Sequence, residues 1–131
     1  MPKRILVIED DPDARILIET ILKKAGYDVL LAADGREGLE KLTNESPDLI
    51  ITDIAMPRLD GLRLIQLLRT KPLFRNLPIL AITSFGTERA TEAIKAGANR
   101  ALARPVHNDF LLQFVKSLIP DEKPATLGGA S

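Results

Sequence analysis

The sequence predicts an α/β fold, a parallel five-stranded sheet in which a helix follows every strand. Three observations carry that prediction. Five short apolar runs, at residues 5–8, 28–32, 48–52, 79–83 and 101–103, have the near-continuous hydrophobicity of strands covered on both faces. The stretches between them repeat their apolar residues at helical spacing. The length, 131 residues, is that of one domain, and 45% hydrophobic residues are enough to build a core.

The elements follow in order. Ile5-Leu6-Val7-Ile8 is closed by Glu9-Asp10-Asp11, and Pro12 suits the first turn of a helix. Ala14, Leu17, Ile18, Ile21, Leu22 and Ala25 form that helix's stripe, and Gly26 is placed to end it. Asp11 or Asp13 suits its positive N-terminus. Asp28–Ala32 is a second, weaker strand. Gly38, Leu39 and Leu42 mark a short helix that stops before Ser46-Pro47. Asp48–Thr52 is a third strand. Leu62, Ile65 and Leu68 give a third helix, widened by Leu64 and Leu67 and read as core. Thr70 to Pro78 is a loop, and Ile79–Thr83 a fourth strand. Thr87 caps a fourth helix carrying Ala90, Ala93 and Ile94, ended by Gly97. Ala101–Ala103 is a short fifth strand. Asn108 or Asp109 caps a last helix with Phe110, Leu111, Phe114, Val115 and Leu118, stopped by Pro120. Right-handed crossovers leave few topologies. Five such units suit a (βα)5 flavodoxin-like three-layer sandwich with strand order 2-1-3-4-5. The domain is expected over residues 1–120, with residues 121–131 a flexible tail or the start of a linker.

Composition removes several functions. The 18 basic and 18 acidic residues balance, and no basic block recommends nucleic acid or an anionic membrane. Without cysteine there is no disulfide, thiolate chemistry or zinc-thiolate site. The apolar runs are too short to span a bilayer, and Met1-Pro2-Lys3-Arg4 lacks a signal-peptide pattern, so a cytoplasmic location is expected.

The chemistry centres on Asp53. It stands where the third strand ends, before a turn marked by Pro57 and Asp60-Gly61. Open α/β sheets place their sites at such strand ends. In the order 2-1-3-4-5 the first and third strands are neighbours, so Glu9, Asp10 and Asp53 converge. Taken singly, each acidic residue reads equally well as a turn or helix cap. Together they repel, and a cation is what would hold them. An oxygen-only donor set with one distant histidine, His107, points to Mg²⁺ or a similar hard ion. His107 itself reads as a surface or capping residue.

Several separated motifs resemble the receiver domain of two-component response regulators, over roughly residues 3 to 119. They are Val7-Ile8-Glu9-Asp10-Asp11-Pro12, Asp53 followed by Met56-Pro57 and Asp60-Gly61, Ile82-Thr83-Ser84, and Gly97-Ala98 with a basic residue before Pro105. The resemblance implies that Asp53 accepts a phosphoryl group from a sensor histidine kinase or phosphotransfer protein. Glu9 and Asp10 are then the metal pair, with the backbone carbonyl of Ala55 a further Mg²⁺ ligand. Thr83 turns toward the phosphoryl group, small Ser84 leaves it room, and the Arg104-Pro105 peptide is cis. The chemistry is consistent: an in-line carboxylate nucleophile, positive charge from Mg²⁺ and Arg104, and a hydrogen bond from Thr83. The output is contact with a downstream protein, from a monomer or weak homodimer. The chain is expected to be a switch that assists its own phosphorylation and dephosphorylation, not an enzyme acting on other substrates.

Two positions depart from the family. Arg104 replaces its lysine, a flat guanidinium in place of a compact ammonium. Ala101 replaces the ring that reports the threonine's movement. Both favour an alternative reading, a degenerate receiver that binds proteins without phosphorylation. The residues two beyond the phosphoacceptor and the threonine, which place hydrolytic water in the family, are Ala55 and Phe85 here. Two enzyme-like readings fit worse. An aspartate-dependent phosphatase resembles Asp-x-Asp, where this chain has Ala55. A flavodoxin-like cofactor site needs a phosphate loop after the first strand, where this chain has acids that would repel phosphate.

Overall fold

The computed structural model describes residues 2–55, 61–84 and 87–120, with only the backbone of Thr87. Strands β1 (Arg4–Ile8), β2 (Asp28–Ala32), β3 (Leu49–Asp53), β4 (Ile79–Thr83) and β5 (Arg100–Ala103) alternate with helices α1 (Pro12–Lys24), α2 (Gly35–Glu45), α3 (Gly61–Arg69), α4 (Thr87–Ala96) and α5 (Asn108–Leu118). The sheet is parallel throughout, in the order β2-β1-β3-β4-β5. The expected fold class is the observed one.

Alternation along the strands divides the core in two. Ile5, Val7, Leu49, Ile51, Leu80, Ile82 and Leu102 face α1 and α5, meeting Ile18, Ile21, Leu22, Leu111 and Val115. Leu6, Ile8, Ile50, Ile79 and Ala81 face the other way, onto Leu42 of α2, Leu64, Ile65 and Leu68 of α3 and Ala93 of α4. All five residues of β3 and of β4 are buried. A strand covered on both faces has no use for alternation, so these runs read as continuously apolar.

The ends of the helices follow local chemistry. Asp11 is the N-cap of α1, its carboxylate accepting from the Ala14 N–H at 3.1 Å. Gly26, at φ +98°, ends that helix in the left-handed region. Asp34 caps α2 by accepting from Glu37 N–H at 2.8 Å, while Glu37 accepts from Ala33 N–H at 2.7 Å.

Four details differ from expectation. The N-cap of α5 is His107, not Asn108 or Asp109, and its side chain makes no capping bond; it lies edge-on to the Phe110 ring at 6.3 Å. The chain leaving Pro105 enters the helix one residue early, so Asn108 is already helical. A 3-10 turn over Pro72–Phe74 interrupts the loop after α3. Leu67 is exposed, because the α3 stripe that reaches the core is narrower than its leucines. Leu17 of α1 is exposed too. Among the described residues no helix is long and apolar enough to cross a membrane. Met56, Pro57, Asp60, Phe85 and residues 121–131, which carry expectations of their own, lie outside the described residues.

Candidate functional site

Every strand end that matters opens on one side of the sheet. Glu9 follows β1, Asp53 ends β3, Thr83 ends β4 and Arg104 follows β5. The register places Ile8 beside Thr52 and Asp53 beside Ile82, which brings these ends level. Backbone bonds hold the loops there: Glu9 N–H donates to Ala32 O at 3.0 Å, Ile54 N–H to Ile82 O at 3.2 Å, and Arg104 N–H to Thr83 O at 2.9 Å.

Carboxylate oxygens of Glu9, Asp10 and Asp53 lie within 4.8 Å of one another. Glu9 is 1% and Asp53 6% exposed, whereas Asp10 faces solvent. The convergence expected from topology is therefore present. The fourth member is Arg104. One guanidinium nitrogen, Nη2, lies 2.5 Å from Glu9 Oε1 and 3.1 Å from Asp53 Oδ2. The outer oxygens are also engaged, Glu9 Oε2 by the Asp11 N–H and Asp53 Oδ1 by the Ala55 N–H, each at 3.1 Å. The Arg104–Pro105 peptide is cis.

Burial raises the Glu9 carboxyl above its ordinary value of 4.5; Arg104 and the Asp11 N–H oppose this, and the charge of Asp53 adds to it. Burial works to lower the Arg104 guanidinium, but its bond to Glu9 and the charges of Glu9 and Asp53 carry it above its ordinary value. A raised acid binds its proton more tightly folded than unfolded. Metal-free stability therefore falls as pH rises from 4.5 through the folded Glu9 value. Melting in EDTA across that window is expected to show the fall in wild type and its flattening in Glu9→Gln; parallel curves would contradict it.

Thr83 is fully buried, and its Oγ1 has no hydrogen-bond partner among the described residues. An unpaired buried hydroxyl costs about 1–3 kcal/mol. Thr83 ends β4, the strand that pairs with the one Asp53 ends. The oxygen-only donor set and this orphaned hydroxyl fit a hard divalent ion and an oxyanion respectively. Ala55, whose carbonyl the resemblance adds to the metal set, enters the recorded geometry through its N–H on Asp53.

Gly61 starts α3 directly against the backbone of Asp53 and Ile54. Its N–H donates to Ile54 O at 3.1 Å, and a Cβ there would run into the Asp53 carbonyl and the Ile54 Cα at 2.5 Å. Backbone cannot move aside as a side chain can. Gly61→Ala is expected to cost about 1–3 kcal/mol and to weaken Mg²⁺ binding by displacing Asp53. An unchanged melting curve with unchanged affinity would contradict this.

One site residue and one pairing were not found from the sequence. Arg15, one turn into α1, donates to the Glu9 carbonyl at 2.8 Å. The pairing of Arg104 with Glu9 is the other: the expectation gave Arg104 to the phosphoryl group alone.

Comparison with known proteins shows the family and the fold. The response regulator receiver domain family matches residues 5–116. Protein PilG of Pseudomonas aeruginosa is 33% identical over 122 residues, covering 92% of this chain and 90% of PilG. Response regulator MprA of a Mycobacterium species is 38% identical over 129 residues, and there the chain spans only 55% of the relative. Among solved structures, a putative response regulator from Chloroflexus aurantiacus superposes with a TM-score of 0.88 at 35% identity, covering 90% of this chain and 98% of that one. The chemotaxis regulator CheY4 of Vibrio cholerae gives 0.85 at 30% identity, covering 91% and 100%.

Proposed function

Because this chain belongs to the response regulator receiver domain family, we propose that it is a phosphorylation switch in which Asp53 accepts a phosphoryl group in a Mg²⁺-dependent reaction. The donor is a phosphohistidine on a sensor kinase or phosphotransfer protein, and the output is contact with another protein. The observation that carries the reading is a buried, unpartnered Thr83 hydroxyl at the end of the strand next to the one that brings Asp53 to the three-carboxylate cluster. An isolated acidic cluster needs only a cation; an orphaned donor on the next strand also asks for an oxyanion.

The residues divide the work. Asp53 supplies the nucleophilic oxygen: its bond to phosphorus forms as the donor's P–N bond breaks. Glu9, Asp10 and Asp53, with the Ala55 carbonyl, would hold the ion. When bound, the ion supplies positive charge to the equatorial oxygens. Thr83 donates a hydrogen bond to one of them, and Arg104 contributes charge to another. Exposed Ser84 leaves room beside Thr83. The switching domain spans residues 1–120, and residues 121–131 form a tail or linker. The compartment is cytoplasmic, as for a soluble kinase output.

One observation favours the second reading, a phosphorylation-independent binding module: Arg104 already neutralises Glu9 and Asp53. Beryllofluoride, a phosphoryl mimic, tests the first. With Mg²⁺ it is expected to shift the amides of Asp53, Thr83, Ser84 and Arg104 strongly. Half-buried Ala101 carries no ring to pass the movement on, so α4 is expected to shift little. No shift at Thr83 would contradict the switch. Shifts running through α4 to Ala101 would show that coupling needs no ring.

A further inference from the structure

The Glu9–Asp10 peptide joins two of the three carboxylates, and a side chain from α1 holds it. The β1 ladder ends at Ile8, so the Glu9 carbonyl takes its partner from outside the sheet. That partner is Arg15 Nη1, at 2.8 Å. Arg15 is half-buried at the first turn of α1, its own N–H on Asp11 O at 2.9 Å. The Asp11 cap on the Ala14 N–H pins the same turn. Among the described residues no ion pair joins Arg15 to the carboxylates of Glu9, Asp10 or Asp53. The three carboxylates are not held equally. Glu9 and Asp53 are buried, and each has one oxygen on Arg104 and the other on a backbone N–H. Asp10 is exposed, and among the described residues no hydrogen bond or ion pair reaches its carboxylate. Its own backbone is what aims it.

We propose that Arg15 is a positioning residue for the divalent ion, fixing the Glu9–Asp10 peptide so that the exposed Asp10 carboxylate faces the Glu9–Asp53 pair. This rests on the metal-dependent reading above and adds to it a residue that offers the ion no ligand atom. A peptide unit is planar and rigid, so a hold on its carbonyl constrains the direction in which the Asp10 side chain leaves the chain. Mg²⁺ tolerates little error in that direction, because its oxygens stand near-octahedral at about 2.0–2.1 Å. A carboxylate left to swing through solvent has to be ordered by the ion, and that ordering costs affinity. The charge of Arg15 acts the other way, since a cation near the site repels an incoming cation. On charge alone, removing Arg15 tightens Mg²⁺ binding; on positioning, removing it weakens binding. The sign of the change separates the two.

Mg²⁺ is titrated calorimetrically into wild type, Arg15→Met and Arg15→Lys, and amide spectra of the same proteins are recorded in EDTA. Arg15→Met is expected to bind Mg²⁺ about tenfold more weakly than wild type, the low end of what a metal site loses with a group that orients its ligands. Arg15→Lys keeps a donor on a long stem and is expected to recover part of the loss. In EDTA the amides of Asp10 and Asp11 are expected to shift in Arg15→Met, while those of Asp53 and Thr83 stay in place. Equal or tighter binding by Arg15→Met overturns the positioning role and leaves the metal site standing. A lysine variant no better than methionine, with the Asp10 amide unshifted in both, overturns it too. Shifts of equal size at Asp53 and Thr83 would make the effect a general loosening of the site and also overturn it. If Arg15→Met does not fold, Arg15→Gln, whose donor stands two atoms closer to the backbone, takes its place with the same expectation. Absence of Mg²⁺ binding in wild type overturns the metal reading and this inference with it.

Discussion

Replacing Arg69 with methionine is expected to lower stability by about 3–5 kcal/mol, a large share of the roughly 5–15 kcal/mol that holds a domain of this size. Arg69 is the last residue of α3, and its guanidinium is a junction between three segments. Nε donates to Gly97 O at 3.0 Å, Nη1 to Phe74, Arg75 and Leu77 carbonyls at 2.7–3.1 Å, and Nη2 to Asn99 Oδ1 at 2.9 Å. Asn99 Oδ1 in turn accepts the Ile79 N–H at 2.8 Å, at the start of β4. These acceptors are neutral oxygens, and burial alone pulls the guanidinium below its ordinary value. Methionine keeps the stem that packs against Gly97 and loses every donor, leaving carbonyls in a half-buried loop without partners. Lysine is expected to recover little, because one ammonium cannot span a fork's worth of acceptors. Urea unfolding of the three proteins is the measurement. A loss under about 1 kcal/mol in the methionine variant, the worth of one ordinary hydrogen bond, would mean that the junction is not cooperative.

The second large effect concerns the lifetime of phosphorylated Asp53. Resemblance to the family assigns the placing of hydrolytic water to the positions of Ala55 and Phe85. Neither side chain can hydrogen-bond water. Ala55 is exposed, and its N–H donates to the Asp53 carboxylate at 3.1 Å. The argument at Phe85, outside the described residues, is one of side-chain chemistry alone. An orienting or general-base group is worth about 10²-fold or more in rate. Wild type is therefore expected to lose its phosphoryl group slowly, and the pair Ala55→Asn with Phe85→Glu to lose it about 10²-fold faster. Decay of the phosphorylated protein, followed by mass, measures this. Unchanged decay in both single variants and the pair would show that these positions do not set the lifetime.

The fold was legible because its signals are local. β3 and β4 are buried on both faces and read as unbroken apolar runs; α1 carries its start in Asp11-Pro12 and its end in Gly26. The carboxylate cluster was legible one step later, since strand order alone makes the ends of β1 and β3 neighbours. What stayed hidden depends on side-chain reach. Arg69 meets acceptors from five to thirty residues away, almost all of them carbonyls that every residue carries, so no pattern marks it. The Arg104–Glu9 bond joins residues 95 apart and depends on a rotamer. The start of α5 was legible only to within a residue: His107, also read as a surface or capping residue, takes the cap position without a side-chain bond, and Asn108 is already helical. The cap of α2 had a readable signal, Asp34 with Glu37 three residues on, lying just before the stripe that drew attention to the helix.

The most direct test of the switch is chemical. Wild type and Asp53→Asn are incubated with a small acyl-phosphate donor, with Mg²⁺ and with EDTA, and weighed intact. Wild type with Mg²⁺ is expected to gain the mass of one phosphoryl group, and to gain none in EDTA. Asp53→Asn is expected to gain none in either. A wild type that stays unmodified with Mg²⁺, or an Asp53→Asn that is modified equally, would contradict the account and leave the chain a receiver that binds without being phosphorylated at Asp53.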